Sequence, residues 1–347
     1  MKRFLKWAAL GSTAMVLALL APLGYVETSC RPSIDKDDYK SILPDDKHRD
    51  EGRTLMTYPE WHIVHAYEEY AEVVRTGDPH DFSYLSAISG FWGSLCGLSE
   101  ASGSHGGFSG DIKTTIYTIG VSFTAEMLAK AAYEETVGRV ATIIRGEGPS
   151  VLDRVSARQA LEYSQFLRQV PWYQWDFDKD KSELKAASTD SFRDRERRFA
   201  LCIEYGVKAG YAKVIESAVG TMAPDALRLN MVVTGISEQD LVDFPETGFI
   251  ESHQSGIEIE TPRYRALTHL LKNMADQGVD FIEIAGNDDI LLTVLSEGAD
   301  LEGSVVSVRR QGFEDYRHLV LTKVPDLSDL LRGLEAKGLT LEHIHDY

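Results

Sequence analysis

Residues 279–295 read VDFIEIAGNDDILLTVL. Two runs rich in β-branched and large apolar residues, Val279–Ala285 and Ile290–Leu295, flank Gly286-Asn287-Asp288-Asp289. Apolar runs of strand length around a Gly/Asn/Asp cluster read as a β-hairpin. A second hairpin follows, Val305–Arg310 and Tyr316–Lys323 around Gly312. Upstream, Leu227–Thr234 reads as a strand and Phe249–Thr261 as a hairpin around Gln254-Ser255-Gly256. Two amphipathic segments separate these runs. Pro262–Gln277 has Pro in its first turn and Gly278 as a stop signal, and Pro325–Ala336 precedes a final strand, Leu339–Ile344. Residues 223–347 are therefore expected to form an α+β domain: one antiparallel sheet with two helices on a face, ferredoxin-like with an added hairpin. No internal repeat is apparent.

The preceding stretch, residues 54–222, has helical periodicity and is expected to be an all-α domain. Its first helix opens at Thr57-Tyr58-Pro59-Glu60 and runs to about Arg75. A segment through Phe91, Trp92 and Leu95 carries no charge from Tyr84 to Ser99 and reads as a core helix or one lying on a membrane surface. Ser99–Gly110 is a glycine-rich loop without either nucleotide-binding pattern. A long helix over Asp111–Arg145 contains Gly120 and Gly138, which weaken it unless a neighbour packs closely there. Trp172, Tyr173, Trp175 and Phe177 form an aromatic run, read as a core plug or a contact with the membrane interface. The last helix of this half carries Gly206-x-x-x-Gly210, a spacing that permits close helix packing.

The N-terminus decides location. Residues 1–6 hold Lys2, Arg3 and Lys6; residues 7–26 are uncharged; residues 27–53 are polar and broken by Pro32 and Pro44. We read a single transmembrane helix over 7–26, with the basic start cytoplasmic and residues 27–347 extracytoplasmic, periplasmic in a Gram-negative cell. Residues 27–53 read as a polar tether. The rival reading, a cleaved signal peptide, lacks a good cleavage site: Pro22 follows Ala21, and Glu27 precedes Thr28-Ser29-Cys30.

The chain has 347 residues and a formal net charge of −18, which repels nucleic acid and excludes it as a partner. Cys30, Cys96 and Cys202 have neither zinc-finger nor redox spacing. In an oxidising compartment one pair can bridge; Cys96 and Cys202, in apolar helical patterns, read as buried free thiols.

No strong catalytic motif is present: there is no G-x-S-x-G elbow and no H-E-x-x-H. The best divalent-metal candidate is His62, His65 and Glu69, which with Glu72 fall on one face of a helix, the imidazole and carboxylate set of zinc or iron. Its competitor is an ordinary solvated face. His343 and His345 alternate and would share one side of a strand, but at the chain end they read as a frayed tail. The leading functional expectation is a membrane-anchored, non-catalytic binding, scaffold or accessory protein with a protein partner. The alternatives are a membrane-tethered metalloenzyme using the His62 face and a ligand-sensing α+β domain.

Overall fold

The computed structural model describes residues 17, 19–34, 39–50, 52–105, 107–219 and 228–347. Residues 19–29 are helical (α1). The helical half then runs α2 (Gly52–Thr76), α3 (Tyr84–Ala101), α4 (Gly110–Tyr133), a π-turn (Glu134–Gly138), α5 (Arg139–Arg145), α6 (Val151–Leu167), α7 (Phe177–Ala187) and α8 (Phe192–Val219). The second half is β1 (Arg228–Thr234), β2 (Gly248–His253), β3 (Gly256–Pro262), α9 (Tyr264–Asp276), β4 (Asp280–Ile284), β5 (Asp289–Ser296), β6 (Ser304–Arg309), β7 (Tyr316–Lys323), α10 (Val324–Gly333) and β8 (Thr340–His345).

The strands sit where the sequence places them, but they do not make one ferredoxin-like sheet. They form two antiparallel four-stranded sheets, ordered β2-β3-β1-β4 and β6-β7-β5-β8. The stretch 279–295 is the reason. β4 and β5 do not pair with each other as a hairpin. Between them Ala285 and Gly286 take φ of 52° and 82°, and the chain crosses from the first sheet to the second. The His48 ring lies against Gly286, 2.5 Å from where a Cβ would stand, so a side chain there is excluded twice over. Arg49 N donates to Ala285 O, and Asn287 Nδ2 donates to Arg49 O.

The two sheets are one pattern used twice: three strands, a helix and a strand, with the same strand order. The repeat has a faint residue signature that our reading of the sequence missed. Leu267, Thr268, Leu270, Leu271 and Gly278 correspond, 60 positions on, to Leu327, Ser328, Leu330, Leu331 and Gly338. The helices are exchanged between units. α10 packs on β4 and α9 on β8, and the helices pack on each other. Thr268 Oγ1 accepts from Ile344 N, while Ser328 Oγ donates to Val279 O. Exchange merges both units into one core through Met231, Leu271, Met274, Phe281, Leu292 and Leu331.

In the helical half, Phe91, Trp92, Phe123, Leu152, Tyr163 and Phe177 are buried in a second core. Gly120 is required: a Cβ would stand 2.4 Å from the Phe91 ring. The uncharged helix α3 is thus a core helix. In the aromatic run Phe177 is buried, Trp172 and Trp175 pack on the same core, and Trp175 Nε1 donates to Asp180 at 2.7 Å.

Residues 39–50 differ most from expectation. Read as part of a free tether, they lie along the first sheet. The buried Glu283 carboxylate accepts from Tyr39 and Ser41 hydroxyls and from Ile42 N and Leu43 N. Buried Glu258 holds Lys47 at 2.7 Å. Helix α2 starts about two turns earlier than its sequence signal, at Gly52, because Thr54 is fixed to the second sheet: its hydroxyl donates to His345 O and accepts from Leu291 N. Most of segment 7–26 lies outside the described residues; among those described, no helix is long and apolar enough to cross a membrane.

Cys30 is not free and Cys96 is not a buried thiol: they are disulfide-bonded, leaving Cys202 free. The bridge closes a loop of 66 residues. A loop of that size constrains the unfolded chain by about 4 kcal/mol in the entropic model, with measured losses of roughly 2–5 kcal/mol. Replacing Cys30 and Cys96 together by Ser should therefore lower the unfolding free energy by that amount, read as a lower denaturant midpoint, and dithiothreitol should do the same to the native chain. An unchanged midpoint would show that the bridge adds nothing to the fold.

Candidate functional site

The C-terminal strand brings its histidines to the first long helix. Tyr58, Trp61, His62, His65 and Glu69 are buried on α2, and His343, His345 and Tyr347 are buried at the end of the chain. The expected frayed tail is an inner wall. The Trp61 ring stacks on His343 with centroids 3.6 Å apart, and Tyr58 meets His345 edge-on at 5.5 Å. β8 is irregular here: Thr293 pairs with His343 and Val294 with Leu341, which leaves Glu342 as the extra residue of a bulge. A bulge re-aims a side chain. Glu342 points to the α2 side together with His343 and His345, where strict alternation would separate them.

Arg317 of β7 is the hub. Its guanidinium grips both Glu342 oxygens at 2.5 and 2.7 Å and Glu69 Oε1 at 3.0 Å. Around it Arg168 binds Glu68 at 2.5 Å, and Arg310 binds Asp315 at 2.8 Å and approaches Glu68 at 3.7 Å. Arg265 lies in the same field. Burial opposes the charge on Glu342, but Arg317 outweighs it and holds the carboxyl far below its usual range. Burial opposes the charge on part-buried Glu68 too, but its Arg168 partner outweighs it and brings the carboxyl down to about 2. Burial wins at Glu69 and pushes it up despite Arg317.

The four imidazoles are held neutral. Burial brings His62 down to about 3, and it lowers His65, with Arg317 adding to the effect. His343 and His345 are driven well below their usual value by burial, then by their neighbouring histidines. His65 stands between two carboxylates, Nδ1 3.8 Å from Glu68 and Nε2 3.6 Å from Glu342, beyond hydrogen-bond length. Neither ring nitrogen of His345 has a hydrogen-bond partner among the described residues.

The sequence-derived metal set does not converge. His62 turns away to Ala87 O at 2.9 Å, and Glu69 is held by Arg317 and Gln311 N. The ligand atoms of His65, Glu68 and Glu342 do lie close enough together to share an ion. Their carboxylates are already committed to guanidinium groups, however. Arg168, Arg265, Arg310 and Arg317 face Glu68, Glu69, Glu342 and Asp315, so the charges balance without a divalent cation. An ion there would have to displace Arg317 or stand beside it uncompensated. Sequence reasoning found the histidines but missed Arg317, Glu342 and Glu68. The usable signal was a full charge inside each of two apolar strand runs, Arg317 and Glu342. No protein family, no curated protein and no solved structure matches the chain.

What this arrangement can do is join α2 to β7 and β8 and respond to acid. An unfolded histidine titrates near 6.5, so below that pH the unfolded chain binds protons that the buried imidazoles refuse. Stability is full above about pH 6.5 and falls as pH drops. Each refused proton is worth about 1.4 kcal/mol per pH unit, and His62, His343 and His345 refuse theirs most strongly. Below about 4.5 the depressed Glu68 and Glu342 add a second loss, whereas the raised Glu69 acts earlier, gaining stability as pH falls toward about 4.5 and offsetting part of the histidine loss. Denaturant midpoints between pH 7.5 and 5 should show this slope, and it should flatten in His343→Gln and His345→Gln. A flat profile in the native protein would mean that the imidazoles are not held neutral.

Proposed function

We propose that the chain is exported and works outside the cytoplasm, held at the membrane by residues 7–26, as a non-catalytic binding or scaffold protein. The observation that carries this is the Cys30–Cys96 disulfide. Disulfides persist in oxidising compartments and are rare in the cytosol. The bridge begins four residues after the uncharged segment, whose basic start is oriented for the cytoplasmic side.

Retention is supported over cleavage by α1. Leu23 and Val26 pack on the helical core, and Glu27 accepts from the Tyr117 hydroxyl and binds Lys113 at 3.2 Å. A signal peptide is discarded, whereas these residues belong to the folded body. The same contacts leave about 16 uncharged residues, roughly 24 Å of helix against a hydrocarbon core of about 30 Å, so the span is short and draws its flanks to the headgroups. The body therefore sits against the headgroups instead of standing off on a tether.

Thiol trapping in intact cells tests the compartment. Cys30 and Cys96 should resist alkylation until a reductant is added, and the full-length chain should stay in the membrane fraction after a carbonate wash. Freely alkylated Cys30 and Cys96, or a soluble chain beginning near residue 27, would contradict the proposal.

A further inference from the structure

Helix α8 carries an apolar face that nothing in the described fold covers. Phe199, Ile203, Val207 and Val214 are 62%, 52%, 68% and 64% exposed. With 100° per residue, they fall with Gly206 and Gly210 in a sector about 100° wide. Between Phe199 and Lys213 no charged residue enters this sector; one turn earlier Glu196 does, but it is 8% exposed and paired with Arg193 and Arg197. At Gly206 and Gly210 nothing stands within 4 Å of a built Cβ, so the small-residue notch anticipated from the sequence is open. Helix α5 packs alongside and adds exposed Val140, Ile143 and Ile144. A groove between the π-turn and the start of α8 is lined by Tyr133, Val137, Phe192, Arg195, Glu196 and Phe199.

We infer that this face is the contact between two copies of the chain, with α8 crossing α8 at Gly206 and Gly210. An open glycine notch flanked by β-branched residues admits the backbone of another helix. A two-fold axis through the notch makes the surface its own complement, which is the commonest form of oligomer. The size fits: with roughly 100 Å² exposed per side chain, the seven aliphatic and aromatic residues named and their groove neighbours approach the roughly 800 Å² per partner of a stable interface. The charge fits as well. Each copy carries −18, so two copies repel at long range, and added salt should strengthen a pair held by apolar contact. The inference stands on the exposed faces of α8 and α5 and does not require the proposed membrane location.

The test uses the full chain in the membranes of the cells that make it. Val207→Cys in a Cys202→Ser background should give an intermolecular disulfide on oxidation, and exposed Val242→Cys should not. Adding Gly206→Leu with Gly210→Leu fills the notch and should reduce the 207 cross-link at least tenfold. Because both glycines face open space, those replacements should leave the thermal midpoint equal or higher when both proteins are diluted to monomers, which separates loss of contact from misfolding. In detergent, sedimentation should show a dimer that salt tightens and the leucine pair abolishes. No cross-link at 207, or one indifferent to the leucine pair, would overturn the inference. So would a monomer whose α8 face binds phosphatidylcholine vesicles instead.

Discussion

One guanidinium ties the two ends of this chain together. Arg317, on β7, is 1% exposed and holds Glu69 of α2 and Glu342 of β8 at once. Removing a single partner from a buried ion pair leaves an uncompensated charge, at about 3–5 kcal/mol. Residues that begin the helical half and residues that end the sheet half are therefore stable only in each other's presence. The imidazole cluster follows from this, because His65, His343 and His345 occupy the space that the Arg317 network closes.

The strands of the second half were legible and their pairing was not. Alternation and turn residues locate each strand, but Gly286-Asn287 has the same composition whether the strands beside it pair or part. What decides is His48 and Arg49 seated on the turn, more than 200 residues away in sequence. Helix exchange is equally invisible to local pattern. Leu267 and Leu327 mark amphipathic faces without saying which sheet each face covers, and the repeat survives mainly in strand order.

The site was half legible. His62, His65, His343 and His345 were noticeable as residues, yet periodicity treated them as solvated because their burial is set by contacts across the chain. The bulge at Glu342 breaks the alternation on which any reading of its direction would rest. Residues 39–50 look like a tether for the same reason: Glu258 and Glu283, which bind them, are distant and read as ordinary strand charges. Gly120 was legible as a tight-packing position, whereas close packing expected at Gly206-x-x-x-Gly210 is not found within the described residues. The first is filled by Phe91, and the second faces open space.

These observations fit a body closed on itself at the Arg317 network, fastened near its N-terminus by a disulfide, and open to a partner along α8. The dependence on Arg317 is tested most directly by a double-mutant cycle with Arg317→Met, Glu342→Gln and the pair, read as unfolding free energies. A coupling of about 2–4 kcal/mol is expected, because each single change strands a buried partner that the double change removes. A coupling below roughly 0.5 kcal/mol, the range of independent sites, would contradict the account.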